Sequence, residues 1–301
     1  MSENLITSYK AFDKNMKCRG FQYEVGKEYE MDGEIKCCNR GFHACKSPIE
    51  VWDYYDMLNS RFAEVEQSGK IDKEEKSTKV CSSHIKIKAE LKLADIINVG
   101  VEWLKDITSP SKIKTDGVLN DNGDRNKKIG SSDYSAQIAS SGDYAQIGSF
   151  GDYAKIGSSG YSAQIGSSGN YAQIGSSGDS AKIASSGYSA KIASSGDSAQ
   201  IGSSGHSAQI GSSGNYAKIG SSGNYAKIDS TGENSVIMCA GNSSKAKAKA
   251  GSWITLAEWE WSDEKERHVP VCVKTEYVDG ENIKANTWYQ LKNRKFVEVN
   301  K

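Results

Sequence analysis

The sequence lacks an excess of charge of either sign: 38 Lys and Arg stand against 38 Asp and Glu in 301 residues. Nucleic acids and anionic membranes are held by basic surfaces, and a nucleic-acid mimic must be acidic, so the balance argues against all three. No apolar run approaches the ~20 residues that span a bilayer, and no membrane partner is expected. The start, Met1-Ser2-Glu3-Asn4, is polar and acidic and lacks the pattern of an export signal. Cysteine is not present in an even set: there are seven, which without an export signal fits a reducing cytoplasm better than a disulfide framework. Apolar residues are sparse at 37%, but the 30 glycines recur at regular intervals, which separates them from low-complexity disorder. The expectation is a soluble intracellular protein.

What the chain does contain is a period. From Ile129 to Ile237 isoleucine recurs every nine residues, thirteen times without a slip. A representative unit is Gly220-Ser221-Ser222-Gly223-Asn224-Tyr225-Ala226-Lys227-Ile228. Strict repetition at this length marks a solenoid, in which each unit buries its apolar face only by stacking on its neighbours. Ala226 and Ile228 are two apart, so a strand sends both to one face and Tyr225 and Lys227 to the other. The interior is expected to be an Ala layer and an Ile layer. The glycines are expected to make the corners by taking positive φ. Helix is excluded by two or three glycines in every nine residues. Nine residues cannot enclose the core alone, and cross-section favours two units per coil over three, giving a rod of about 30 Å at ~4.8 Å per coil.

Tyrosine sits either three residues before Ile (Tyr144, Tyr153, Tyr171, Tyr216, Tyr225) or four (Tyr134, Tyr161, Tyr188), never both in one unit. Two readings stand side by side: a protein-contact face, since Tyr supplies large area at low entropy cost, and a stacked ladder that stabilises the rod. The candidate contact surface is Tyr144, Tyr153, Tyr171, Tyr216 and Tyr225 with Lys155, Lys182, Lys218 and Lys227. Calcium-binding nonapeptide rolls place Asp at the sixth position, whereas Asp143, Asp152, Asp179 and Asp197 lie one residue earlier. Ice binding would call for ranks of Thr, and the repeat has only Thr231. The Asn234-Ser235-Val236-Ile237 and Tyr-Ala-Lys-Ile-Gly runs resemble the head repeats of trimeric bacterial adhesins, a resemblance that implies a β-roll.

Residues 1–108 read as an α+β domain. Strands are expected at Leu5–Phe12 and Phe21–Glu30, around the turn Val25-Gly26-Lys27, and at Arg61–Glu66 and Ser83–Lys88. Ser47-Pro48-Ile49-Glu50 has the pattern of a capping box and predicts a helix to about Leu58. A second, amphipathic helix is expected over Leu93–Ile107, and 109–126 is a polar linker. The runs Lys10-Ala11-Phe12-Asp13, Cys18-Arg19-Gly20-Phe21-Gln22-Tyr23-Glu24-Val25-Gly26 and Cys38-Asn39-Arg40-Gly41-Phe42-His43-Ala44-Cys45 resemble an uncharacterised domain family of phages and prophages. In such proteins that domain often precedes low-complexity repeats. The resemblance covers about the first hundred residues and implies a viral or prophage origin, with no activity or site.

Two chemical readings of this domain are open. Cys37, Cys38, His43 and Cys45, with Cys18, Cys81 or His84, have the donor types of a zinc site but not the usual C-x2-C spacing; buried free cysteines that only pack are the plain alternative. The second is a cleft like that of an ADP-ribosyltransferase: Arg19 or Arg40 and His43 to hold a ribose, Tyr54 or Tyr55 as an aromatic shelf, and Glu64 or Glu66 to stabilise an oxocarbenium-like centre. Here the plain alternative is surface ion pairs for the arginines and packing for Phe21, Phe42 and His43. The candidate cleft is Arg19, Arg40, His43, Tyr55 and Glu64, with no metal and no cofactor implied.

After 127–241 the regular pattern lapses. Trp253–Trp261, Val269–Val278 and Thr287–Val299 read as strands, with turns at Asp279-Gly280 and Lys292-Asn293-Arg294. Because the end of a solenoid is an open sheet edge, residues 242–301 are expected to form a β cap. The chain is thus mainly β: a parallel β-solenoid (β-roll or β-helix) of nine-residue repeats between an N-terminal α+β domain and a C-terminal β cap. The functional expectation is a non-enzymatic binding protein of phage origin that presents the solenoid to a host protein or complex, such as a bacterial defence system. The alternatives are an N-terminal ADP-ribosyltransferase-like enzyme with the solenoid as spacer, and a virion fibre or decoration protein.

Overall fold

The structure, a computed structural model, describes residues 5–74, 77–107, 118–120 and 123–299. The chain divides into two units, Met1–Trp103 and Leu104–Lys301. In the first, the strands are β1 (Ile6–Phe12), β2 (Lys17–Cys18), β3 (Phe21–Gln22), β4 (Glu28–Glu30), β5 (Phe42–Cys45), β6 (Arg61–Lys73) and β7 (Lys79–Leu91). β1 pairs with β6, β6 with β7 and β7 with β5, and β5 returns to β1 at Tyr9–Cys45, closing a small antiparallel barrel. β4 continues along the β7 edge past β5. Phe12, Phe42, Ala44, Ala63, Val65, Ile85 and Ile87 form its core.

Gln67, fully buried, ties the barrel strands together. Its Oε1 accepts from Ser8 Oγ at 2.6 Å, and its Nε2 donates to the Phe42 carbonyl at 2.7 Å and to Ser82 Oγ at 3.0 Å. A buried amide is tolerable only when so satisfied.

The expected helix over Leu93–Ile107 forms with those bounds and is named α1. Its buried stripe is Ile96, Ile97 and Val101, the i, i+1, i+5 pattern of one helix face. The helix expected after Ser47 does not form. Ile49–Asp53 is a single 3-10 turn with no side-chain cap. The Glu50 carboxylate instead accepts the Thr78 backbone N–H at 2.8 Å, and Thr78 Oγ1 takes the Ser47 N–H at 2.9 Å. A tertiary partner has taken the side chain the capping box required. The turn expected at Val25-Gly26-Lys27 does form, with Gly26 at φ +83, and divides Phe21–Glu30 into β3, which pairs with β2, and β4, which pairs with β7.

In the second unit, each nine-residue repeat is one four-residue strand and one turn, and strands pair in parallel with the strand eighteen residues on, as in Gln137–Lys155. Two units therefore make one coil, about seven coils in all. One sheet, sheet I, contains the strands starting at Lys128, Gln146, Gln164, Lys182, Gln200, Lys218, Val236 and Trp253. The other, sheet II, contains those starting at Val118, Gln137, Lys155, Gln173, Lys191, Gln209, Lys227 and Lys245. Coil geometry thus runs beyond 127–241 at both ends. Val118–Asn120 falls within the segment read as a linker; 108–117, 121 and 122 lie outside the described residues.

Ala and Ile form the expected two inner layers, and a third was not foreseen. The serine two residues after each Ile also points inward, and Ser140, Ser158, Ser176 and Ser194 are fully buried. Cys239 and Ala248 fill the same slot near the C-terminal end. The position takes small side chains because the chain turns there and the two sheets approach each other.

The corner expectation is corrected. Solenoid glycines do not supply the positive φ; the residue three before Ile does, at φ 52° to 60° from Ser135 and Tyr144 through Tyr225. Left-handed backbone costs a non-glycine residue on the order of 1 kcal/mol. It is offset by a coil-to-coil bond: Ser135 N donates to Asp152 O and Tyr144 N to Tyr161 O, both at 2.8 Å. Glycine is needed elsewhere, for closeness. A Cβ at Gly178 would fall 2.1 Å from the Gly160 carbonyl oxygen one coil earlier, and Gly151, Gly169, Gly187, Gly196 and Gly205 repeat this at 1.9–2.1 Å. At Gly130, Gly148, Gly202 and Gly220 a Cβ meets nothing within 4 Å, and Ala139, Ala184 and Ala193 occupy equivalent positions.

Antiparallel hairpins close both sheets, as expected of a cap. Arg267–Tyr277 pairs along Trp253–Ser262 on sheet I. Tyr289–Lys292 joins Lys245–Ala248 on sheet II and carries Lys295–Glu298 through the turn at Asn293-Arg294, both at positive φ. Trp259 Nε1 donates to the Ala240 carbonyl at 2.9 Å, and Trp288 lies under Lys245 and Lys247 at 5.3 Å.

The two glycine classes give a paired test. Gly178→Ala should destabilise the rod by about 1–3 kcal/mol or more, because backbone must move. Gly202→Ala should change stability by no more than about 0.5 kcal/mol. Thermal melting followed by circular dichroism checks both.

Candidate functional site

β1, β5 and the chain around β2 and β3 surround a cavity of 320 Å³ in the N-terminal unit. Of the expected cleft residues, Arg19, Arg40, His43 and Tyr55 line it and Glu64 does not. The alternation of β6 explains the exclusion: Ala63 and Val65 point into the barrel and Glu64 points out, opposite Tyr9. Glu66 also points out and pairs with Lys88 at 2.7 Å. The cleft therefore assembles its basic and aromatic members without the carboxylate. Arg40 is anchored by a hydrogen bond from its Nη2 to the Asp32 carbonyl at 2.7 Å.

The residue at the centre, Lys10, was quoted in the sequence only as part of a motif. It is 4% exposed, and its Nζ donates to the His43 carbonyl at 2.8 Å and to Cys18 Sγ at 3.5 Å. Cys18 Sγ is 2.8 Å from the Tyr55 hydroxyl. Nζ also lies 5.6 Å from the ring centres of Phe12 and Tyr23. Burial pushes the Lys10 ammonium below its ordinary pKa, and nearby Arg19 adds to the shift. Burial also lowers His43, with Lys10 and Arg19 adding to it; its Nε2 accepts the Cys38 N–H at 2.9 Å. Burial, with Cys18 beside it, raises the Tyr55 phenol. The only sequence signal for Lys10 was its place in the alternation of β1, where Ser8, Lys10 and Phe12 share a face.

Gly41 is fixed by this packing. Its φ is +131, and a Cβ there would fall 2.1 Å from Cys81 Sγ. The cysteines considered for zinc take separate partners. Cys18 faces Tyr55, Cys38 Sγ points to Glu74 Oε1 at 3.7 Å, and Cys81 donates to the Arg40 carbonyl at 3.2 Å. Among the described residues no group of three His, Cys, Asp or Glu is placed to hold a metal ion.

The candidate solenoid residues do not share one surface. Lys182 and Lys218 are exposed on sheet I, while Lys155 and Lys227 are half-buried on sheet II. The tyrosines lie at the turns along two edges. On one edge Tyr134, Tyr153, Tyr171, Tyr188, His206 and Tyr225 form a continuous column, with ring centres 4.9–5.7 Å apart. Tyr144 and Tyr161 pair on the other at 5.8 Å. The ladder reading thus describes Tyr153, Tyr171 and Tyr225; ladder rings remain partly exposed. Third- and fourth-position tyrosines feed the same column, and one ring per ~4.8 Å coil fills it, which explains why a unit never carries both. His206 was the member missed.

The Asp and Asn side chains fasten the same turns. Asp152 Oδ1 accepts from Asn170 N at 2.7 Å, Asp179 from Asp197 N at 2.8 Å and Asp197 from Asn215 N at 2.7 Å, each one coil away.

Sheet I carries an open trough of about 1100 Å³, walled by Lys and Gln and floored by Gly148, Gly166, Ala184, Gly202 and Gly220. At its C-terminal end Val236, Trp253 and Tyr277 are cross-strand neighbours in one row. They are 52%, 47% and 45% exposed, and Met238 beside them 54%.

Residues 6–99 match the family described as Domain of unknown function (DUF7666). The match covers β1 to α1 and so contains the whole cavity, whereas the solenoid and cap lie outside it. Neither a curated protein nor a solved structure matches the chain.

Tyr171 stacks between Tyr153 and Tyr188, whereas Tyr216 has no ring neighbour among the described residues. Tyr171→Ser should cost about 1–3 kcal/mol, two pair energies, and Tyr216→Ser about 0.5 kcal/mol or less. Thermal midpoints, with amide exchange at the central coils, distinguish the two.

Proposed function

We propose that the protein is a non-enzymatic binding protein whose solenoid presents sheet I to a macromolecular partner. The observation that carries this reading is the exposed row Val236–Trp253–Tyr277 at the end of the sheet I trough. Large aromatics flanked by a polar, low-charge surface are the common anchors of protein interfaces. The neutral total charge favours a protein partner over nucleic acid. The resemblance of the N-terminal segment to phage and prophage domains makes a host protein or complex in the bacterial cytoplasm the partner sought, with a defence system the leading class. The enzyme alternative is supported by the basic and aromatic cavity residues, but Glu64 stands outside that cavity, which removes its oxocarbenium-stabilising group. A virion fibre or decoration protein remains the structural alternative, supported by the rod.

The test is capture of host proteins on the full-length chain and on surface variants. Trp253→Ala removes the anchor, and Gly202→Arg fills the trough at a position where a side chain meets nothing. Both should lose the captured partner by tenfold or more, because a central aromatic anchor is worth about 2 kcal/mol or more; Gly202→Arg should keep the melting temperature, and Trp253→Ala should lower it slightly through the lost Tyr277 ring contact. Tyr144→Ser on the turn edge should retain it. Equal capture by all three variants would sink the reading.

A further inference from the structure

The N-terminal cavity presents a physical imbalance that the sheet I reading does not use. Among the described residues its lining includes Lys10, Arg19, Arg40, His43 and Lys79, and no Asp or Glu. Of these, Lys79 pairs with a carboxylate, Glu74 at 2.8 Å. Lys10 is almost fully buried and is met by a carbonyl and a thiol, and Arg19 has no hydrogen-bonded or ionic partner among the described residues. A buried ammonium without a counter-charge is costly, and natural proteins retain one chiefly where a ligand or reaction completes the pairing. Arg19 disfavours the Lys10 charge, and both disfavour a charge on His43. An anion entering the cavity adds an attraction to both Lys10 and Arg19.

The remaining lining is aromatic. Tyr23 lies 5.6 Å from Lys10 Nζ and 4.8 Å from the Phe21 ring centre, which continues the basic end into a ring cluster. Phe21 and Tyr54 are 46% and 45% exposed despite lining a cavity. A half-exposed aromatic ring, Phe21, next to clustered cations suits a planar heterocycle carrying a phosphate. At 320 Å³ the cavity stands at the small end of ligand sites, which run from about 300 to 1,000 Å³. That volume suits one nucleotide and excludes a dinucleotide. Arg19 and Cys38 line the site with positive φ, 50° and 66°. Such strain is concentrated where a backbone is shaped for a ligand.

We propose that this cavity binds a nucleoside monophosphate, its phosphate held by Lys10 and Arg19 and its base laid against Phe21. Binding involves no bond making, and no carboxylate base or metal is needed. Lys10 takes up the role of a buried counter-cation, Arg19 closes over the phosphate from the exposed side, and Phe21 distinguishes a nucleotide from a simple anion.

The experiment is isothermal titration of the full-length protein with AMP, GMP, CMP and UMP, with adenosine and inorganic phosphate as separate probes. At least one monophosphate is expected to bind and to raise the melting temperature, with adenosine and inorganic phosphate each at least tenfold weaker. Arg19→Gln should weaken that nucleotide about tenfold or more, since a charge-assisted contact is lost. Phe21→Ala should bring nucleotide and inorganic phosphate to similar affinity. Lys10→Met, which keeps the side-chain length, should abolish binding. Arg19 and Phe21 are exposed, so their variants carry the test even if Lys10→Met does not fold. Three results overturn the proposal: no monophosphate binds, inorganic phosphate binds as tightly as the nucleotides, or Arg19→Gln leaves the affinity unchanged. Trp253→Ala should bind the nucleotide normally, which separates this site from the sheet I surface.

Discussion

The solenoid depends on how closely one coil can approach the next. At Gly151, Gly160, Gly169 and Gly178 the backbone lies against the carbonyl eighteen residues earlier, with no room for a single added carbon. That approach sets the coil spacing and so permits the parallel strand pairing, the turn-to-turn bonds from Ser135 and Tyr144, and the stacking of one aromatic ring per coil. The apolar core alone would not impose it. Ala and Ile can pack in many sheet arrangements, but the backbone contact allows one register, and a slip by one residue would expose every Ile.

The side chains at the turns are explained by the same constraint. The residue three before Ile is forced into left-handed backbone, yet it is Tyr or Ser and not Gly. Its N–H is fixed by the next coil, and Tyr144, Tyr153, Tyr171 and Tyr225 there also gain a ring neighbour. Asp and Asn one position earlier cap the next coil's N–H groups, so an acid that looked like a displaced calcium ligand has a structural partner. With the edges occupied by this ladder, sheet I is left as the broad regular surface, and the exposed Val236–Trp253–Tyr277 row gives it a distinct end.

The N-terminal unit follows a different logic. Its barrel strands are tied by one satisfied buried amide, Gln67, and its cavity is lined by cations with no Asp or Glu among the described residues. Much of its secondary structure was readable: α1 from its amphipathic stripe, β6 and β7 from alternation. Three features were not. The capping box at Ser47 failed because Thr78, far along the chain, took both its N–H and its Glu50. Glu64 was grouped with Arg19 and His43 by residue type, and only the direction in which β6 faces separates them. Lys10 looks like any lysine in the sequence, because burial is decided by what folds over it.

By itself the sequence determined the repeat length, the inward Ala and Ile layers and the parallel β-solenoid, because those follow from a period that only stacked coils can bury. The tertiary structure decided which glycines are needed for closeness and which are incidental, that the tyrosines form a column, and that the serines make a third inner layer. It also decided that sheet I carries the open trough and that Lys10 stands without a carboxylate. Each of these depends on what a residue meets eighteen or more positions away, and a local pattern carries no record of that neighbour.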